Sequence, residues 1–371
     1  MTRFRLVLPD LVLLLLCQSL FATTTYYVGS CHAGAYETIN AAVAAAATGS
    51  SILICPGTYA EQIIISKQIT LHGMSFNGAS GAVVAVPAAG LSNESSLYFG
   101  QIAPQIEVLA DGVTISNIAV DGTAGSSNCP STWGYVGIMF AGGSSGTVNQ
   151  VLVHNQNCTS DGYGFLAENG AGTKQTVLIE ASSVRGISYA GIIGYSGETP
   201  STLSANVENN DVSAGQWGIL EAGTAGMVSQ NRVGPTREGI YAYSALDTIS
   251  GNTIVDSAEG VLVIQGQPTI TGNTIVNATS DGIGANGGGQ ITSNHISNTP
   301  IGMSINSNTV TVQGNHITNA SQFGISFQCQ SPTVSGNFIS DTPLGITNVL
   351  GSYTGTNTFL NVPTVRSTGS C

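Results

Sequence analysis

Seven asparagines mark the second half of this 371-residue chain at near-constant spacing: Asn210, Asn231, Asn252, Asn273, Asn294, Asn315 and Asn337, with steps of 21 and, at the end, 22. A second marker, Gly followed by an apolar residue, runs beside it at Gly218-Ile219, Gly239-Ile240, Gly260-Val261, Gly282-Ile283, Gly302-Met303, Gly324-Ile325 and Gly345-Ile346. Each repeat holds short β-branched runs separated by Gly and Asn, the pattern of strands and turns, without a 3.6-residue period. A unit of about 21 residues cannot bury a face alone, so successive units must stack. Strands one coil apart then lie ~4.8 Å apart, and the product is a solenoid of parallel sheets. Each ladder asparagine is expected at a turn, in left-handed geometry and hydrogen-bonded to its neighbour in the next coil.

Upstream the Gly marker continues at Gly137-Ile138, Gly164-Phe165 and Gly191-Ile192, but the step is 27. The added residues fall after the Gly-apolar strand, in 141–147, 167–174 and 194–202. Coils with long loops over 137–210, followed by regular coils over 210–345, predict a loop wall beside a flat sheet, and loops on a rigid scaffold commonly carry binding. Residues 36–48, with Thr38, Ile39, Ala42 and Val43 at helical spacing, predict a short helix capping the first coil and hiding its sheet edges. Residues 77–105 break the repeat and read as an insertion.

Charge narrows the partners. Lys and Arg total 8 against 20 Asp and Glu, for a net charge of −12, and charged residues are only 8% of the chain, against about 25% in ordinary domains. Nucleic acid and anionic membrane surfaces are excluded by the lack of clustered bases. Residues 1–22 have the parts of a secretory signal: Arg3 and Arg5, the apolar run Leu11–Leu16, and Ala22 at the exit. No stretch offers the 18 or so apolar residues of a membrane span, so the expectation is a secreted or periplasmic monomer, residues 23–371 forming one domain. Beyond Cys17 there are six cysteines, and an even number in an exported chain points to disulfides. Pairs Cys31–Cys55, Cys129–Cys158 and Cys329–Cys371 would each staple neighbouring turns.

The opening of the solenoid resembles a known family. Thr38-Ile39-Asn40-Ala41-Ala42, then Ile52-Leu53-Ile54-Cys55-Pro56-Gly57-Thr58-Tyr59-Ala60-Glu61, then Ile69-Thr70-Leu71-His72-Gly73 resemble the start of pectin lyase-like right-handed parallel β-helix proteins. The resemblance implies an all-β, single-stranded right-handed parallel β-helix with a short N-terminal capping helix, and extracellular carbohydrate as the substrate class. The catalytic motifs of that superfamily do not carry over: the Asp-Phe-Ile-Phe-Gly of pectin esterases and the Asp-Pro-His-Asp of alginate epimerases do not occur. Of the polygalacturonase set, Thr159-Ser160-Asp161-Gly162 and Thr279-Ser280-Asp281-Gly282 resemble only one element in four.

Aligning the coils on their Gly marker reveals a chemical column. The residue before each Gly reads Val136, Tyr163, Ala190, Trp217, Glu238, Glu259, Asp281, Ile301, Phe323 and Leu344. Glu238, Glu259 and Asp281 thus occupy consecutive coils, ~5 Å apart. Carboxylates so close need a cation, a proton or good solvation. Two chemistries follow: the three acids as Ca²⁺ ligands, or as catalytic acid and base on a glycosidic bond. Tyr163 and Trp217 in the same column, with Tyr241 and Tyr243, would offer sugars aromatic faces, and Arg237 could pair with the acids or with a substrate carboxylate. Strict alternation would point the column inward, which three acids could not tolerate, so the chain must turn there. Glu221 lies inward by alternation, and Glu168 falls in a long loop. The functional reading is binding or processing of an extracellular polysaccharide, by lyase or glycosidase chemistry; the alternative is a non-catalytic cell-surface or adhesive rod.

Overall fold

The computed structural model describes residues 24–76, 79–123, 134–157, 161–170, 172–197, 201–330, 332–349 and 356–367. The expected signal segment and Cys129, Cys158 and Cys371 lie outside them. Three long sheets of 13, 14 and 13 strands carry nearly all of the structure. One coil shows the path: Trp217–Ala222 belongs to sheet C, Met227–Ser229 to sheet A and Arg232–Val233 to sheet B, and Thr236–Tyr243 returns to sheet C. Each strand pairs in parallel with the equivalent strand one coil on. No helix among the described residues is long and apolar enough to cross a membrane.

The interior is built from columns of like residues. Ile249, Ile270 and Ile291 stack in sheet A, Ile254, Ile275, Ile296 and Ile317 in sheet B, and Ile240, Val261, Ile283 and Met303 in sheet C, all at most 1% exposed. Burying each such side chain contributes about 1.5–3 kcal/mol, which is why a chain with so few charges holds together. The Gly marker has a steric cause. A Cβ on Gly239 would lie 2.5 Å from Ile254 Cγ2 and 2.5 Å from the Gly260 carbonyl oxygen, and Gly260 meets Ile275 and Gly282 at the same distances. The Gly and the apolar residue after it therefore both face the core. Alternation breaks between them, and the residue before the Gly is turned outward.

The asparagine ladder forms as expected in its hydrogen bonds. Asn252 Nδ2 donates to Asn273 Oδ1 at 2.9 Å and to the Val228 carbonyl at 2.9 Å, and its backbone N–H donates to the same Asn273 Oδ1 at 3.0 Å. The pattern repeats from Asn210 to Asn337, which ends on Asn357. The left-handed geometry is placed differently. It falls on the preceding residue, Gly251, Gly272, Ser293, Gly314 and Gly336, at φ 56–66°. The ladder amide thus stays extended into the core while its neighbour makes the corner, where glycine meets no Cβ penalty.

The helix spans Ile39–Ala45, shorter than 36–48, and packs Ile39, Ala42 and Val43 inward. Thr38 Oγ1 accepts from the Ala41 N–H at 3.1 Å, and the Glu61 carboxylate accepts from the Ile39 and Asn40 N–H groups at 2.8 and 2.9 Å. These bonds satisfy the free donors of the first turn, and a carboxylate there complements the helix dipole. Cys31–Cys55 is a disulfide with Cα atoms 5.6 Å apart, and Cys329 is also disulfide-bonded.

Two expectations need correction. Much of 77–105 is not an insertion: Ala82–Ala85 pairs in sheet B with Gly57–Ala60 and Ala119–Asp121, and Gly100–Val108 pairs in sheet C. Among the described residues, Ala79–Ser80 leaves the coil to pair antiparallel with Ser75–Phe76, and residues 86–99 leave it again, their strand Glu94–Ser96 running antiparallel to Gly100–Ile102. In two of the 27-residue coils the added residues largely lengthen strands instead of loops: Gln175–Glu180 and Leu203–Glu208 in sheet A have six residues where Thr248–Ser250 has three. Glu168 accordingly lies in the sheet C strand Gly162–Asn169 and not in a loop.

Candidate functional site

The outer face of sheet C carries the site. Trp217 pairs with Glu238 and Glu238 with Glu259 in the parallel register; Val261 pairs with Ile283, which sets Asp281 one coil beyond Glu259. The column points away from the main core. Val136, Tyr163 and Ala190 belong to a second apolar cluster outside the solenoid interior, against which Phe99, Tyr189, Trp217 and Tyr241 pack.

A row of aromatic rings crosses this face. Phe99 meets Tyr163 at 4.6 Å, Tyr163 meets Tyr189 at 5.6 Å, Tyr189 meets Trp217 at 5.0 Å, and Trp217 lies parallel to Tyr241 at 5.4 Å with 10° between planes. Tyr98 packs on Tyr195 at 4.7 Å. Tyr163 is 4% exposed beneath Phe99, so its ring serves packing and offers no free face to a sugar. Trp217 and Tyr241 remain partly open, and Tyr243 is 42% exposed. The Tyr241 phenol sits at the junction: burial raises its pKa, and so do Tyr98, Tyr243, Glu238 and Glu259.

The acids are graded by their surroundings. Glu238 is 6% exposed; its Oε1 lies 3.2 Å from Arg237 Nε, and its Oε2 has no hydrogen-bond partner. Burial pushes its pKa up while Arg237 pulls it back. Glu259 is raised by burial, then by Asp281 and Glu238 on either side, with Arg237 opposing. Asp281 is raised by burial and lowered by a hydrogen bond with Ser280. Gly284 leaves space in front of the last two: a Cβ there would be 3.3 Å from Glu259 Oε2 and 4.0 Å from Asp281 Oδ2. Among the described residues no group of three or more His, Cys, Asp and Glu is placed to hold a metal ion.

At the opposite edge of the same face lies a cavity of about 340 Å³ lined by Tyr195, Ser196, Ala222, Thr224, Tyr243 and Leu246. Tyr241 stands between it and the acid column. The upstream end of the face is covered by residues 86–99. Ser96 Oγ donates to Glu168 Oε2 at 2.7 Å and the Leu97 N–H donates to both Glu168 oxygens at 3.1 Å, clamping the segment to sheet C.

Three comparisons bear on this arrangement. A family model described as "Right handed beta helix region" matches residues 217–361. The A-module of the Azotobacter vinelandii mannuronan C-5 epimerase AlgE4 superposes with a TM-score of 0.54 at 16% identity, covering 88% of this chain and 91% of that one. This chain folds as a right-handed parallel β-helix. The catalytic domain of a GH87 α-1,3-glucanase in complex with tetrasaccharides superposes on the β-helix with a TM-score of 0.55 at 14% identity, covering 94% of this chain and 66% of that one. At such identities the likeness speaks for the fold alone. The search of curated proteins finds no match to this β-helix.

Some of the site had no signal in the repeat. Tyr98 and Phe99 sit in the segment that leaves the coils, so no register could place them over Tyr163 and Tyr195. Tyr189 was within reach, since it precedes Ala190 of the column. The lumen holds a second acidic pair: Glu221, inward as alternation required, and Asp247 are both fully buried. Gly194 makes the room, since a Cβ there would lie 2.3 Å from Glu221 Oε2. Asp247 accepts from Thr224 Oγ1 at 2.7 Å and from the Gly226 N–H. Burial first, then Asp247, pushes the Glu221 pKa well up.

Proposed function

We propose that this β-helix binds a polysaccharide along the outer face of sheet C and hydrolyses its glycosidic bonds at the acid column. One observation carries the reading: Glu238 and Glu259 are cross-strand partners facing out of the sheet, immediately downstream of the parallel Trp217 and Tyr241 rings. Sugars present apolar ring faces to aromatics and hydroxyls to carboxylates. Glu259, raised by burial and by the carboxylates on either side, is the candidate general acid. Glu238, where Arg237 opposes the rise that burial causes, is the candidate base or nucleophile. Asp281 orients the sugar on the far side. The epimerase and the glucanase of similar fold are both named for polysaccharide substrates, which favours the same substrate class. The Cys31–Cys55 disulfide favours work outside the cytoplasm.

The test is a polysaccharide panel read for new reducing ends and for unsaturated products. Hydrolysis predicts reducing ends alone, reduced about 10²–10⁴-fold in Glu259→Gln. Unsaturated ends would replace hydrolysis by elimination, and silence across neutral, acidic and amino-sugar polymers would leave a non-catalytic rod.

A further inference from the structure

The substrate class can be narrowed, on the footing that sheet C is the glycan face. Among the described residues, Arg237 is the only base beside the acid column, at its edge with its side chain 63% exposed. The other bases stand elsewhere. Lys67 donates to the carbonyls of Ala44 and Ala46, Arg185 and Arg232 lie on sheet B strands, Lys174 lies between sheets C and A, and Arg366 is in the last coil. The face is therefore a row of carboxyl groups with almost nothing to balance them. Glu238 and Asp281 each push Glu259 up, so each would gain from a positive charge placed between them. Glu238 adds a nearly buried carboxylate whose Oε2 has no partner.

We infer that the glycan this face takes carries free ammonium groups: a linear oligomer or polymer of N-deacetylated hexosamines. Carboxylates beside aromatic rings are the chemistry that recognises an ammonium, through ion pairing and cation–π attraction together. Tyr189, Trp217 and Tyr241 supply the rings beside the acid column. The acids recur once per coil, ~4.8 Å along the axis, which suits a ligand whose charge also recurs along its length. A polyuronate meets the wrong sign on this face, on a chain of net charge −12.

The experiment is calorimetric binding of four hexamers at mildly acidic pH and low salt: glucosamine, N-acetylglucosamine, glucose and galacturonate. The glucosamine hexamer should bind at least about tenfold tighter than the neutral two, weakening as salt rises, and the galacturonate hexamer should not bind. Glu238→Gln and Glu259→Gln should each remove the preference. Asp211→Asn, an exposed acid on sheet B, should leave it intact, which separates the site from bulk charge. Arg237→Ala, which takes away a competing cation from an exposed position, should tighten glucosamine binding several-fold. If the neutral hexamers bind as tightly as glucosamine without salt dependence, the ammonium inference falls and the glycan face stands. A preference that survives both Gln variants, or one lost equally in Asp211→Asn, overturns the inference as non-specific attraction. If none of the hexamers binds, both readings fall.

Discussion

The two halves of the solenoid solve the same packing problem in different ways. From Asn210 onward each coil closes on a buried asparagine that satisfies its own amide, its neighbour's amide and a backbone carbonyl. Upstream the place of the asparagine is taken by Ser182, whose Oγ accepts from the Val151 N–H at 3.1 Å and donates to the Glu180 carbonyl at 2.8 Å, while its N–H donates to Asn210 Oδ1 at 2.9 Å. The strict half tolerates an outer face with three acids because its interior is uniform. The wider half uses its outer face for packing, with Tyr163, Leu166 and Ile193 nearly buried and residues 86–99 laid over its end. The open part of sheet C begins where that cover stops, at Trp217.

Breaking the ladder should have the largest effect. Asn273→Leu leaves the Asn252 N–H and Nδ2 and the Ile249 carbonyl without their partner, and the expected loss is about 3–5 kcal/mol in denaturant unfolding. The upstream counterpart sharpens the contrast: Ser182→Ala should lose only about 1–2 kcal/mol, since a smaller set of bonds ends on one hydroxyl.

The next tests use pH. Burial, and then Glu94, push the pKa of Glu107 up to about 7 beneath the covering segment. A carboxyl raised on folding stabilises the docked state at low pH and loses that contribution as pH climbs from its unfolded value, about 4.3, through the folded one. Amide exchange in 94–99, corrected for intrinsic rates, should therefore quicken by about tenfold between pH 6 and pH 8. Glu107→Gln should abolish the change; exchange that is indifferent to pH in the unaltered chain would contradict it. Glu221 in the lumen has the same sign by a different route, since burial and Asp247 raise it. Thermal stability should fall as pH rises above the ordinary carboxylate range, and Glu221→Gln should flatten that slope without touching exchange in 94–99.

What the sequence made legible follows the strictness of the repeat. The 21-residue spacing of Asn252, Asn273 and Asn294 carries the ladder and the sheet register, and the Gly marker put Trp217, Glu238, Glu259 and Asp281 in one column, as they are. The direction of that column was harder, because it depends on Gly239 and Ile240 both facing inward, a steric fact of the neighbouring coil. Spacing alone could not show whether added residues lengthen a strand or a loop, which is why 167–174 read as loop although Glu168 is strand. Nor could it show Phe99 over Tyr163, a contact across 64 positions made by a segment outside the repeat.

The central claim is that a glycan lies along sheet C across Trp217, and tryptophan fluorescence reads it directly. The chain has two tryptophans, Trp133 and Trp217, so a Trp133→Phe background leaves Trp217 as sole reporter. Titrating that protein with the hexamer that calorimetry finds tightest should give a saturable change in Trp217 emission with the same midpoint, weakened in parallel by Glu259→Gln. Calorimetric binding with Trp217 emission unchanged would place the glycan elsewhere on the molecule and contradict the account.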